Sequence, residues 1–232
     1  MPRARPENVD WQTAADPQEQ GSGCLSGFTI IPLAVILISA LLASFAWQTN
    51  PNPNPNPIAA DLPPAASTSI SPIFRIEIHH WADSISKWAA ASQLDPNLVA
   101  TIMQIESCGD PRARSSAGAM GLFQVMPFHF YATDDPYNPD TNAARGLAYL
   151  SKSLETGGGN ALLAMVGYNG GISLISRAER TWPAQTKRYI QYGVPIYEDA
   201  RNGLASSSAL NEWYEKYGVS LCRQASQRLG LP

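Results

Sequence analysis

The sequence predicts a mainly α-helical domain, preceded by one transmembrane helix and a proline-rich linker. Three observations carry that prediction. An uncharged apolar run extends from Phe28 to Ala46, and proline alternates with asparagine from Pro51 to Pro57. Beyond residue 76, apolar side chains recur at three- and four-residue intervals between capping residues and glycines. No alternating stretch is long enough for a substantial sheet.

Taken in order, residues 1–27 form a polar tail, with residues 28–47 as the membrane span. The nineteen residues Phe28 to Ala46 carry no charge, and none occurs from Gln20 to Ala60. That length crosses a hydrocarbon core as a helix. Pro32 stands near the start, where proline does least harm, and Trp47 suits the interface. Arg3 and Arg5 precede the span, and no Lys or Arg follows until Arg75. This count places the tail in the cytoplasm and the rest of the chain outside the membrane. Cleavage after Ala46, behind the small-x-small triplet Ser44-Phe45-Ala46, is the competing reading and would release a secreted form. The apolar run exceeds a usual signal-peptide core and four acids precede it, so the uncleaved anchor is preferred.

Residues 48–72 read as a linker rich in Pro, Asn, Ala and Ser. Alternating prolines exclude helix and central strand. The segment is expected to be extended, with a reach on the order of 70 Å at about 3.1 Å per residue.

In the main domain, expected over 73–198, Ile78, Trp81, Ile85 and Trp88 step by three, four and three, marking an amphipathic helix whose aromatic stripe packs on the core. The next helix starts with Asp95 as N-cap and Pro96 at the first helical position; Gly109 and Pro111 supply its stop. Leu147, Leu150 and Leu154 mark a third helix, ended by Gly157-Gly158-Gly159, and Asn160 caps a fourth. Leu210, Trp213, Tyr217 and Leu221 give a late helix within a C-terminal extension, residues 199–232. A minor hairpin around Ser115 to Gly121 stays open.

Glu106 is the residue with chemical promise. Val99, Ile102 and Glu106 share one face of the second helix, and the first two mark that face as buried. A carboxyl group there is desolvated and near the negative end of the helix dipole, which favours the protonated form. A group protonated near neutral pH can act as a general acid. The alternative is a glutamate that reaches solvent from the last turn.

Composition narrows the partners. The formal charge is −3 with no basic cluster, so nucleic acid is not expected. The three histidines, His79, His80 and His129, show no metal-site spacing with Cys or carboxylates, and neither metal nor cofactor is expected. Cys108 and Cys222 fall on the oxidising side of the predicted topology and Cys24 does not. Whether the two pair or stay free and buried is left open.

Four blocks follow one another from Glu106 onward. They are Glu106-Ser107 with Ser115, then Gly121-Leu122-Phe123-Gln124-Val125-Met126-Pro127, then Gly167-Tyr168-Asn169-Gly170-Gly171, and finally Tyr189-Ile190. In this order they resemble the catalytic domain of soluble lytic transglycosylases, which is related to goose-type lysozymes. The resemblance spans 73–198 and implies a lysozyme-like helical domain with a substrate groove. It further implies cleavage of the bond between N-acetylmuramic acid and N-acetylglucosamine in peptidoglycan glycan strands.

The resemblance makes Glu106 the single acid and base. It would protonate the bridging oxygen, then take the proton of the muramoyl C6 hydroxyl as that oxygen closes a 1,6-anhydro ring. Most glycosidases use two carboxylates. Here no second acid stands in a matching motif, and Asp110, Asp134, Asp135 and Asp140 fall in turn-rich segments that suggest solvated or capping roles. By position, Ser115 and Gln124 would contact the sugar, and Met126 would form groove wall. Tyr168 and Asn169 would aim into the cleft, and Tyr189 would orient Glu106. Ser107 would hold the catalytic side chain or merely end the helix. Two departures stand out: Cys108 replaces a commoner small or polar residue, and Gly167 stands where Ala is usual. A hydrolytic muramidase on the same fold and a non-catalytic, membrane-tethered glycan-binding module are the alternatives. No protein partner is legible.

Overall fold

A computed structural model of the chain describes residues 69–232. The predicted cytoplasmic tail, the transmembrane helix and the linker as far as residue 68 lie outside the described residues. Within them the helices are α1 (Ile76–His79), α2 (Ala82–Ser92), α3 (Pro96–Ser107), α4 (Pro139–Thr156), α5 (Ala161–Gly170), α6 (Ala184–Arg201), α7 (Ser208–Trp213) and α8 (Val219–Leu229). Among the described residues there is no strand, and the region expected to hold a hairpin contains only isolated bridges, Arg114 with Met120 and Met120 with Val125. The domain is mainly helical, as predicted. No helix of the described residues is long and apolar enough to cross a membrane.

The described fold includes residues 70–72, which the sequence reading places in the linker over 48–72. Ile70 and Phe74 are buried in the core, and the Ser71 amide donates to Asn97 Oδ1 at 2.7 Å. The helix expected through Ile78 and Trp88 is split at His80–Trp81. The split lets the Trp81 indole donate to the Gly109 carbonyl at 2.9 Å, while Trp81 stacks on Trp88 with centroids 6.0 Å apart. Trp88 in turn meets buried Phe123 edge-on and donates to Asp140 Oδ1 at 2.8 Å. The aromatic stripe is packing, as its spacing suggested.

Helix α3 is the centre of the domain. Asp95 caps it as expected, accepting from the Asn97 amide at 2.8 Å, and its other oxygen accepts from the Tyr197 hydroxyl at 2.9 Å. All twelve residues are buried, so α3 has no solvent face. The sequence reading singled out one buried face; the run from Leu98 to Ile105 is apolar on nearly every side, and neighbours cover all of it. Leu98, Val99, Ile102, Met103 and Ile105 are each fully enclosed, and each contributes roughly 1.5–3 kcal/mol of burial.

The C-terminal extension is built onto this centre. Helix α6 runs through the boundary expected at residue 198, and all described residues fall in one compact unit. The late helix is interrupted by a π turn at Tyr214–Gly218. Cys108, in left-handed conformation at the end of α3, is disulfide-bonded to Cys222 on α8. Of the two roles the sequence suggests for Asp110, solvated or capping, the solvated one does not hold. Asp110 is completely buried and accepts from Arg228 Nη1 at 2.9 and 2.8 Å, Gln224 Nε2 at 2.7 Å and the Arg112 amide at 2.8 Å. The reason is that α8 folds over the loop after α3 and brings its own donors. Ser226 on the same helix donates to buried Glu77 at 2.7 Å.

The disulfide closes a loop across a sequence separation of 114 residues. Its loss removes roughly 4–5 kcal/mol on a chain-entropy account. The paired replacement Cys108→Ser and Cys222→Ser should therefore lower the melting temperature by roughly 10 °C, read by calorimetry. The parent protein should show a similar drop when scanned with reductant.

Candidate active site

Glu106 lies in the last turn of α3 with 7% of its surface exposed, so it is enclosed yet open to one side. Two tyrosines from two other helices bear on it. Tyr189 of α6, 1% exposed, lies close enough to Glu106 to interact with it electrostatically. Burial first, then the nearby Glu106 and Tyr168, hold the Tyr189 hydroxyl well above its ordinary value of 10.0. Tyr168 of α5 is pushed up in the same way by burial, then by Glu106 and Tyr149. Both hydroxyls therefore remain protonated donors throughout the neutral range.

The segment Met120–Met126 wraps past the end of α3 and is fastened from three helices. Ser107, fully buried, donates from Oγ to the Leu122 carbonyl at 2.6 Å and accepts from the Gly109 amide at 3.1 Å. It ties the helix end to this loop. Tyr168 donates to the Phe123 carbonyl at 2.7 Å, so one ring both fixes the loop and flanks Glu106. Asn142 of α4 accepts from the Phe123 amide at 2.9 Å and donates to the carbonyls of Met120 at 2.7 Å and Pro136 at 2.9 Å. Gly121 has φ +75°, and a Cβ there would collide with the Asn142 side chain. A left-handed turn lying flat against a side-chain amide admits only glycine at that point.

The predicted residues divide by what they do. Glu106, Tyr168 and Tyr189 come together, and Ser107 stands directly behind them in the scaffold. Gln124 adopts φ +46° and its amide donates to the Gly121 carbonyl at 3.0 Å. Ser115 is half-buried, and its Oγ accepts from the Ala119 amide at 3.0 Å within its own turn. Met126 is half-buried at the start of the 3₁₀ turn Pro127–His129, and Asn169 is half-buried beside Tyr168. Asn142 is a supporting residue that the sequence reading missed, and no local signal marks it. Gly167, flagged as unusual, has a packing reason: a Cβ there would lie 2.7 Å from Ile175 Cδ1 and 3.0 Å from Ser153 Oγ.

Other carboxylates nearby are committed elsewhere. Asp110 is held by Arg228, and Asp134 forms a two-point pair with Arg145 at 2.7 and 3.0 Å. The hydrogen bonds from Arg145 hold the Asp134 carboxyl below its usual range. Glu77, Cys108 and Cys222 bring possible ligand atoms within 4.8 Å of one another, but the two sulfurs are bonded to each other.

Residues 83–191 match the family described as Transglycosylase SLT domain. Among curated proteins, it is similar to the Transglycosylase of Enterobacteria phage PRD1, with 37% identity over 111 residues, covering 47% of this chain and 40% of that protein. It is 30% identical over 87 residues to the Membrane-bound lytic murein transglycosylase E of Buchnera aphidicola, covering 32% of this chain and 39% of that one. It is 36% identical over 84 residues to an Endo-type membrane-bound lytic murein transglycosylase A of Klebsiella pneumoniae, covering 31% and 41%. The chain thus spans about two fifths of the length of these relatives. Among solved structures, an inactive mutant of the lytic transglycosylase Slt from Pseudomonas aeruginosa matches with 25% identity and TM-score 0.43, covering 52% of this chain and 24% of that one.

The raised tyrosines carry a pH signature. An unfolded chain releases tyrosine protons near the ordinary value of 10.0, whereas folded Tyr168 and Tyr189 retain theirs. Above that pH the unfolded state binds fewer protons, so stability falls as pH rises; below it their contribution is complete. Urea unfolding followed from about pH 8 to 11 should show this decline, and Tyr189→Phe should make the slope shallower.

Proposed function

We propose that this chain is a peptidoglycan lytic transglycosylase on a lysozyme-like fold. It would cleave between N-acetylmuramic acid and N-acetylglucosamine with Glu106 as its one acid and base. The observation that carries the reading is the enclosed Glu106 carboxyl with Tyr189 and Tyr168 bearing on it. The chemistry requires Glu106 to enter the reaction protonated. As the glycosidic bond breaks, Glu106 gives its proton to the leaving oxygen. The carboxylate, met by the Tyr189 hydroxyl, then takes the C6 hydroxyl proton of the muramoyl residue. The C6 oxygen bonds to C1, the anhydro ring closes, and Glu106 returns to its starting form with no water consumed. A nucleophile supplied by the substrate removes the need for a second carboxylate, in keeping with Asp110 and Asp134 being paired to arginines. Ser115, Gln124, Met126 and Asn169 would line the path of the glycan, and Ser107 would hold the end of α3.

The domain order follows from the same reading. Residues 28–47 would anchor the chain in the membrane, and the proline-rich segment would carry the catalytic domain toward the wall. Two of the similar proteins are themselves named membrane-bound.

Digestion of purified peptidoglycan, analysed by mass spectrometry, tests the chemistry. Muropeptides lighter by one water than the hydrolytic products are expected, and Glu106→Gln should reduce their yield by at least about a thousandfold. Reducing ends in their place would assign the site to a muramidase. Binding without any product from the parent would leave a glycan-binding module.

A further inference from the structure

We propose that Phe128, His129 and Tyr149 form a stacking track for the sugar rings of the glycan, leading outward from Glu106. The inference rests on the lytic transglycosylase reading and gives its site an extended binding face. None of the three residues belongs to the four sequence blocks that carry the family resemblance.

The rings are arranged in series. Tyr168, which flanks Glu106, lies 6.0 Å from the Tyr149 ring at an interplanar angle of 57°. Tyr149 lies 4.6 Å from the His129 ring at 47°, and His129 lies 4.5 Å from Phe128 at 49°. Exposure rises at the far end: Tyr168, Tyr149 and His129 are half-buried, whereas Phe128 is 68% exposed. The series draws on the 3₁₀ turn, α4 and α5, so it is a product of the tertiary fold and not of one helix face.

The turn holds Phe128 outward by construction. Pro127 starts it, the His129 amide donates to the Met126 carbonyl at 3.0 Å, and the Phe130 amide donates to the Pro127 carbonyl at 3.2 Å. Phe130 packs against the core while Phe128 faces solvent. A large exposed aromatic continuous with a candidate catalytic site marks a binding surface. The exposed Tyr131 nearby is different, because the Arg145 guanidinium already lies 4.0 Å from its ring centre.

The chemistry of the track selects its occupant. A pyranose presents C–H bonds on its faces and hydroxyls around its rim, so it lays an apolar face on an aromatic ring while its edge stays hydrated. No Asp, Glu, Lys or Arg forms part of the ring series, which suits an uncharged sugar backbone better than an acidic peptide. A polymer that is cut at Glu106 must continue away from it, and these rings supply a path.

The test uses the full-length protein with Glu106→Gln, titrated calorimetrically with N-acetylglucosamine oligomers of increasing length. Affinity should climb with length. Adding Phe128→Ala should weaken the longest oligomers about tenfold, the loss of one aromatic contact, while leaving the shortest unchanged. Phe128→Trp should restore the climb. Phe128 is exposed, so the variant should melt as its parent does, which keeps the comparison free of folding effects. Unchanged affinity for long oligomers in Phe128→Ala overturns the track, as does an absence of oligomer binding in the Glu106→Gln parent. A change in self-association with no change in glycan affinity also overturns it, in favour of a second copy on this face. Length-dependent binding through Phe128 alongside a parent that yields no cleavage products would retain the track and refute the catalytic reading. Cleavage with no effect of Phe128→Ala would do the reverse.

Discussion

The domain depends on α3 being enclosed along its whole length. A helix with no solvent face leaves its terminal residues little freedom, and Glu106 inherits that rigidity. Its direction is fixed at both ends. Asp95 caps the start and is held by Tyr197, while Cys108 turns into the left-handed region and is bonded to α8. A catalytic group needs its geometry set before substrate arrives, and a central, fully packed helix supplies that more firmly than a loop.

The same helix gathers three enclosed acids around its C-terminal end, and the fold treats them differently. Asp110 receives an arginine, a glutamine and a backbone amide, and Glu77 receives a serine hydroxyl. These are structural pairs: buried charge with donors brought by α8. Glu106 has two tyrosines beside it, Tyr189 and Tyr168, and neither carries positive charge. An arginine at that position would lock the carboxylate in its ionised form. Neutral donors leave its proton free to move, and this contrast separates the candidate acid from its neighbours.

Much of this was readable in the sequence where the signal is local. Asp95, Asn138 and Asn160 are capping residues whose side chains accept from their own helices, and the sequence alone marks Asp95 and Asn160 as caps. The glycine run after α4 and the order of the motif blocks were equally legible. Less legible was anything decided by a distant partner. The amphipathic stripe through Trp81 hid a break, because the Trp81 indole is drawn to the Gly109 carbonyl. Asp110 reads as a turn residue until Arg228, 118 positions later, is laid over it. Asn142 has no motif around it, yet it fastens the loop that carries Gln124.

By itself, the sequence determined the helical character of the domain, the caps that start its helices, and Glu106 as the acid to examine. Those follow from spacing, propensity and a short ordered motif, all written within a few residues. Tertiary structure decided that α3 is buried on every side, that Cys108 pairs with Cys222, and that aromatic rings from three elements line up from Tyr168 to Phe128. Burial and long-range pairing depend on which surfaces the folded chain brings together, and no local periodicity encodes that.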